Sequence, residues 1–517
     1  MLLSRVVEAS RAIASTRSRL AKRSVIAEVL REVDEADTVT VVTWLSGSLR
    51  QRRTGVGWAS LPDAATGAAT PTLMLEEVDA AFESISRLAG EGSQSARRAA
   101  LLDLWGRATE GEQAFLRGLL FEDLRQGALD GVMVDAVAQA FGLPTAAVRR
   151  ASMLLGSTAA ATQLARSGGL SALEAVTLQV GQPVRPMLAS SAPDIATALA
   201  KVAPSGEPVV IDRKLDGIRV QIHRDGEDVR VFTRSLDDVT ARLPEVVAVA
   251  RQIRASRMVL DGEAIVLRSD GHPAPFQVTG SRTASANTEA LRASAPLSTF
   301  LFDLLHLDGT DYLVRPLVDR VAALRAVAPA AVIVPSSATA DPNDAQAFFE
   351  DSVRHGHEGV VVKAATASYD AGRRGAAWVK VKPRHTLDLM VLAAEWGHGR
   401  RQGWLSNLHL GARSGDEFVM LGKTFKGLTD ALLSWQTEQL LARETRRTRS
   451  TVFVRPELVV EIAFDGLQRS SRYPGGVALR FARVLRYRDD KTADETDRLD
   501  TVLSTQADGS ANDPAGD

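Results

Sequence analysis

No cysteine occurs in the 517 residues, and that absence removes several chemistries together. Disulfide frameworks, thiolate zinc sites and cysteine nucleophiles all need a sulfur the chain does not carry, and the lack fits a reducing compartment. An excess of one charge is missing as well. With 62 Lys and Arg against 63 Asp and Glu, the formal net charge is −1, so any nucleic-acid binding must rest on local basic surfaces. No apolar run reaches the roughly 20 residues of a membrane span. At the N-terminus, Arg5, Glu8 and Arg11 interrupt any signal-type apolar core, and the pattern runs on into Ile26, Val29 and Leu30, as a first domain helix would.

What is present is ordinary for a globular chain: 45% hydrophobic and 24% charged residues, over a length that suits two to four domains. The first 180 residues are rich in Ala and Leu. Helical periodicity runs through 3–13, 22–33, 73–89, 95–104, 111–125, 131–141 and 145–154. Gly-Leu-Pro at 142–144 and Ser-Gly-Gly at 167–169 read as helix stops. An all-helical domain is therefore expected. Within it Arg50, Arg53, Arg117 and Arg125 are of a type that holds phosphates without reading sequence, although each also fits a solvated face.

A two-proline linker, Gln182-Pro-Val-Arg-Pro-Met-Leu188, leads to the stretch on which the chemistry turns: Ile211-Asp212-Arg213-Lys214-Leu215-Asp216-Gly217-Ile218-Arg219. An apolar run, Val209 to Ile211, precedes it and the alternation Ile218, Val220, Ile222 follows, which puts Lys214 at a tight bend between strands. Lysine is a nucleophile only as the free amine, and cationic neighbours favour that form. Arg213 and Arg219 are such neighbours, and a bound divalent metal would add to them. Downstream, charges of both signs are set into β-branched runs: Val231-Phe-Thr-Arg234, Met258-Val-Leu-Asp-Gly-Glu263, Phe300-Leu-Phe302-Asp303, Glu358-Gly-Val-Val-Val-Lys363 and Trp378-Val-Lys380-Val-Lys382. Alternation puts Lys380 and Lys382 on one face. Carboxylates buried among valines need partners, so these runs call for a shared polar cleft. Acids there can hold a metal and a ribose, and bases can hold phosphates.

The ordered series resembles the covalent nucleotidyltransferase superfamily, and most closely ATP-dependent DNA ligases of the bacterial and archaeal three-domain type. Six motifs carry the resemblance over about 180–495, the last being Arg480-Phe-Ala-Arg483 with Arg488-Asp-Asp-Lys491 behind it. It implies a multidomain fold: an all-α DNA-binding domain at 1–180, an α+β adenylation domain at 184–383, an OB-fold β-barrel at 384–503 and a disordered tail at 504–517. Short alternating strands at 387–395, 404–413, 416–425, 451–464 and 479–487, with a helix near 429–444, agree with the barrel. Arg400, Arg401, Trp404 and Lys423 are its candidate contacts to a nucleic-acid backbone, with a solvated loop rim as the alternative. Gly422-Lys423-Thr424 is not a P-loop, because Glu417 stands where the earlier glycine must be.

By resemblance, Lys214 attacks the α-phosphorus of ATP to give a lysyl-AMP, AMP passes to the 5′-phosphate of a nick, and the 3′-hydroxyl displaces it. Asp212 then sits near the adenine amine, Phe302 stacks on adenine and Glu263 takes the ribose hydroxyl. Arg219 and Arg234 contact ribose and phosphates or the nick phosphate. Arg374, Lys380 and Lys382 hold the α-phosphate, while Arg480 and Arg483 reach the pyrophosphate when the last domain closes. Glu358, with Glu263, holds the divalent metal, for which oxygen donors suit Mg²⁺ with Mn²⁺ able to substitute. Two positions depart from the family: Asp212 where Glu is usual, and Ala482 where Pro is usual. The implied partner is nicked double-stranded DNA encircled by a monomer in the bacterial cytoplasm at the nucleoid, in replication, repair or recombination. RNA ligases and capping guanylyltransferases share the lysine chemistry, and a degenerate nucleic-acid-binding homologue is the non-enzymatic alternative. The NAD-dependent ligases are set aside because their zinc site needs cysteine.

Overall fold

A computed structural model describes residues 1–507 except 52–53, 58–59, 62–66, 125, 127–129, 285–291, 371–373 and 384. Nine helices among these residues, from Leu3–Ser15 to Thr158–Glu174, enclose one core in which Trp44, Phe82 and Trp105 are fully buried. Local chemistry sets several starts: Ser18 accepts from the Ala21 amide at 3.2 Å, and Thr109 with Glu112 forms a reciprocal capping box. Two helices escape the periodicity. Thr38–Leu45 is a run of Thr and Val, a strand-like composition. Its burial on nearly every side, with Thr38, Thr40, Val41, Val42, Trp44 and Leu45 all inside, overrides that preference. Thr158–Glu174 passes through the expected stop by kinking at Gly169, where φ is 60°. The segment at 111–125 is helical only over Glu110–Leu120; Arg53 and Arg125 lie outside the described residues.

Two five-stranded sheets make up the middle of the chain. The first has the order β1 (Leu188–Ala192), β10 (Arg374–Val381), β9 (Val360–Ala364), β2 (Val209–Arg213), β8 (Ser336–Thr339). The second runs β4 (Asp228–Thr233), β3 (Ile218–Asp225), β5 (Arg257–Val266), β6 (Leu297–Leu307), β7 (Thr310–Asp311) and is antiparallel throughout. Val220 and Ile222 point into the second sheet's own core, as their alternation requires.

The linker from the helical domain is fastened to β3 from below. Gln221 accepts from the Val184 amide at 2.8 Å and donates to its carbonyl at 3.1 Å, while His223 Nδ1 accepts from the Gly181 amide at 3.0 Å. Burial holds the His223 imidazole far down, at about 3, so it stays neutral and can accept.

Beyond His385 a seven-stranded sheet forms the half-barrel of an OB-like domain. Its path is β13 (Glu417–Thr424), β12 (Leu405–Ser414), β11 (His385–Trp396), β15 (Thr451–Val454), β14 (Glu444–Arg447), with β16 (Val459–Phe464) on β11 and β19 (Arg483–Tyr487) on β16; β17 (Gly466–Arg469) and β18 (Val477–Arg480) pair as a separate hairpin. Gly422-Lys423-Thr424 ends a strand of this sheet, as the rejection of a P-loop requires. A final helix, Leu499–Ala507, covers the first residues of the stretch expected to be a tail, and 508–517 lie outside the described residues. No described helix is long and apolar enough to cross a membrane.

Candidate active site

Lys214 lies where the chain leaves the first sheet, at the end of β2, and enters the second at β3. The bend is thus a crossing between sheets rather than a hairpin within one. Its backbone is pinned on the first side: the Lys214 amide donates to the Gly359 carbonyl at 2.8 Å, and the Glu358 amide donates to the Lys214 carbonyl at 3.0 Å. On the other side Gly217 lies against β5. A Cβ there would meet Ile265 Cγ2 at 2.2 Å and the Ala264 carbonyl oxygen at 2.4 Å, so only glycine lets β3 approach.

The crossing aims the Lys214 amine at Glu358, two residues before β9. Glu358 accepts from Lys214 through one carboxylate oxygen and from Lys382 through the other. Burial works against this carboxylate, but the two ammonium groups more than offset it and hold it below the usual range. Neither arginine that flanks Lys214 in sequence offers it a bare charge. Arg213 pairs with Asp351 at 2.7 Å, and Arg219 grips Asp261 with Nε at 2.9 Å and Nη2 at 2.6 Å.

Arg219 is a structural tie as well as a cleft residue. Its third donor reaches the Met187 carbonyl at 2.7 Å, and its guanidinium lies 5.4 Å from the Phe302 ring centroid and 5.7 Å from that of Trp378. Burial alone would lower its affinity for a proton; Asp261 reverses that. Tyr369 donates to the same Asp261 at 2.8 Å. Two residues along β5, Glu263 makes no ion pair or side-chain hydrogen bond among the described residues. Burial pushes its carboxyl up to about 7, against the pull of Lys214 and Arg219. Asp212 is buried against Lys363, and burial pushes its carboxyl up in spite of that ammonium. Lys363 in turn lies 4.7 Å from the Phe302 centroid and 4.2 Å from that of Trp378.

From the OB-like domain, Arg480 Nη1 donates to Asp216 Oδ2 at 3.0 Å, and Asp465 pairs with Lys382 at 3.2 Å. A cleft of about 2000 Å³ results, with walls from all three domains. Asp212, Lys214, Arg219, Arg234, Glu263, Phe302, Glu358, Lys380, Lys382 and Arg480 all line it. Arg483 is exposed on β19 and is not among the lining residues; the Arg374 side chain lies outside the described residues. Ala482 is buried in its turn, its carbonyl accepting from Thr424 Oγ1. The four candidate contacts of the last domain have partners of their own. Arg400 pairs with Asp430, Arg401 donates to the Phe425 carbonyl, Trp404 packs on the barrel core and Lys423 pairs with Glu395. Sequence reasoning missed Asp261, Tyr369 and Asp465. Asp261 had a signal, since it shares a strand face with Glu263; the other two had none.

Three family models cover this chain: DNA ligase N terminus over residues 63–138, ATP dependent DNA ligase domain over 186–382, and ATP dependent DNA ligase C terminal region over 401–491. A probable DNA ligase of Beutenbergia cavernae is 56% identical over 508 residues, covering 97% of this chain and 99% of that one. The chain belongs to the ATP-dependent DNA ligases. A probable DNA ligase of Nocardioides sp. is likewise 56% identical over 511 residues, covering 98% and 99% of the two chains. The solved structure named Pmar-Lig_PreS3 shares the fold at a TM-score of 0.64 with 18% identity, over 93% of this ligase and 99% of that chain.

The ligase site also has the donors a divalent cation needs. No cluster of three or more His, Cys, Asp or Glu side chains among the described residues would hold a metal unaided. Two carboxylates, Glu263 and Glu358, do line the cleft, and burial raises the affinity of Glu263 for a proton in spite of Lys214 and Arg219. Hard cations such as Mg²⁺ are held by one or two carboxylates plus substrate phosphates, which fits this pair.

Proposed function

We propose that this ligase seals nicks in duplex DNA, with Lys214 as its nucleophile. The observation that carries the reading is the sheet-to-sheet crossing that aims the Lys214 amine into the cleft beside Glu358 and Lys382. In the first step the free amine of Lys214 attacks the α-phosphorus of ATP. A nitrogen–phosphorus bond forms, the bond to the bridging oxygen breaks and pyrophosphate leaves with that electron pair. Phe302 stacks on the adenine, Asp212 accepts from its amine while paired with Lys363, and Glu263 accepts from the ribose hydroxyl. Lys380, Lys382 and Arg374 hold the α-phosphate and meet the charge that builds on it. Arg480, already across the cleft mouth at Asp216, turns to the pyrophosphate.

AMP then passes to the 5′-phosphate of the nick, with Arg219 and Arg234 toward that phosphate, and the 3′-hydroxyl displaces AMP to close the strand. Glu358 and Glu263 are the residues that would hold Mg²⁺ or Mn²⁺; when bound, the cation neutralises phosphate charge. A cleft with walls from three domains supports a monomer that surrounds the duplex. The work of such an enzyme is replication, repair and recombination in the bacterial cytoplasm.

Incubation with α-labelled ATP and Mg²⁺ followed by denaturing electrophoresis tests the reading. Wild type takes up label, Lys214→Ala does not, and nicked DNA releases it. Label from GTP instead would move the enzyme to capping chemistry, and no label from either nucleotide would overturn the mechanism.

A further inference from the structure

Arg234 stands in a tight loop, and part of what holds that loop comes from another domain. The turn closes through the Leu236 amide on the Thr233 carbonyl at 2.9 Å and the Thr233 amide on the Asp237 carbonyl at 2.9 Å. Leu236 itself has φ of 67°, in the left-handed region that β-carbons disfavour. A leucine there needs an outside reason, because Asn or Gly would make the same turn without strain.

The reason is visible in the helical domain. Gly156 lies against the Leu236 side chain: a Cβ on it would come within 2.9 Å of Leu236 Cδ1 and 2.9 Å of the Pro183 carbonyl oxygen. This seat is itself rigid. The Gly156 amide donates to Met153 at 3.1 Å, and its carbonyl accepts from Arg185 Nε at 3.2 Å, while Arg185 pairs with Asp130 at 3.2 Å. Arg234 and Gly156 both line the central cleft.

We propose that Leu236 is a positioning residue, seated on Gly156 of the helical domain so that this domain sets where Arg234 meets the nick phosphate. The inference rests on the reading of Arg234 given above. It makes the helical domain part of the DNA-dependent steps and leaves the ATP-dependent step to the rest of the enzyme. A strained backbone held by a neighbour is a means of fixing a side chain that must meet its target without searching for it.

Leu236→Asn tests this, because Asn keeps the left-handed turn and loses the apolar seat. Self-labelling by ATP stays within about twofold of wild type, while single-turnover sealing of pre-adenylated nicked DNA falls about tenfold. Leu236→Met restores most of that loss. In an Arg234→Ala background Leu236→Asn costs nothing further, since the residue it positions is gone. Equal loss in labelling and sealing, or losses that multiply in the double variant, would overturn the proposal. Absence of label in wild type would instead sink the lysine mechanism itself, so the two failures are distinct.

Discussion

Two groups of buried charge lie near Phe302, and they are finished to different degrees. In the first, Asp303 and Arg320 are both fully buried and joined twice, at 2.7 and 3.0 Å. The remaining Arg320 nitrogen donates to the carbonyls of Arg315 at 2.7 Å and Ala367 at 2.8 Å, so every guanidinium nitrogen has an acceptor. In the second, one carboxylate, Glu358, serves both Lys214 and Lys382, and Glu263 stands without a cation of its own. A completed network fixes a fold; an uncompleted one is shaped for charges that arrive later. The difference separates structural from chemical residues where composition does not, since both groups are acids and bases set in apolar strands.

Substitution in each group should break the molecule in different ways. Lys214→Arg, which keeps the charge but has no nucleophilic amine at pH 7, is expected to lower self-labelling by on the order of 10⁴-fold or more. Its melting temperature should stay close to wild type, because only a half-buried partner changes; a large drop would put Lys214 with the structural group. Arg320→Met should do the reverse. Left alone, the buried Asp303 carboxylate costs about 3–5 kcal/mol, read as a shift in the urea midpoint, with labelling per folded molecule retained.

The smallest effect concerns pH and sharpens the contrast within β5. Glu263 has its carboxyl raised from 4.5 to about 7, so its contribution to stability is fully present below pH 4.5 and is lost as pH rises through 7. Wild type should therefore lose up to about 1.4 kcal/mol per pH unit from this group across that window, and Glu263→Gln should flatten the slope. Urea midpoints at pH 5 and pH 8 for both proteins measure it. An unchanged slope would mean that Glu263 is not the group left waiting.

How legible this was from sequence follows from range. Strand alternation around Lys214, the order of the motifs and seven of the nine N-terminal helices rest on neighbours within a few residues, and those were readable. Thr38–Leu45 was not, because its helical state is decided by what surrounds it. Arg213 and Arg219 looked like activating charges in sequence because their partners, Asp351 and Asp261, are 138 and 42 residues away. The same distance hid the Lys363 ammonium on Asp212 and the Asp465 carboxylate on Lys382. Sequence named the groups; only the fold could say which were already engaged.

The clasp at Gln221 and His223 has a consequence for taking the enzyme apart. By its first strand, the catalytic unit begins at residue 188. Physically the seam lies earlier, because Gly181 and Val184 supply three hydrogen bonds to side chains that are 4% and 1% exposed. A catalytic fragment that starts at 188 would leave the buried Gln221 amide and His223 imidazole with only each other, at 2.9 Å, in place of three further bonds. One that starts before Gly181 takes its clasp along. Any exchange of the helical domain with that of a relative should therefore be spliced upstream of that glycine, and the heterologous join left in the helix-to-linker turn.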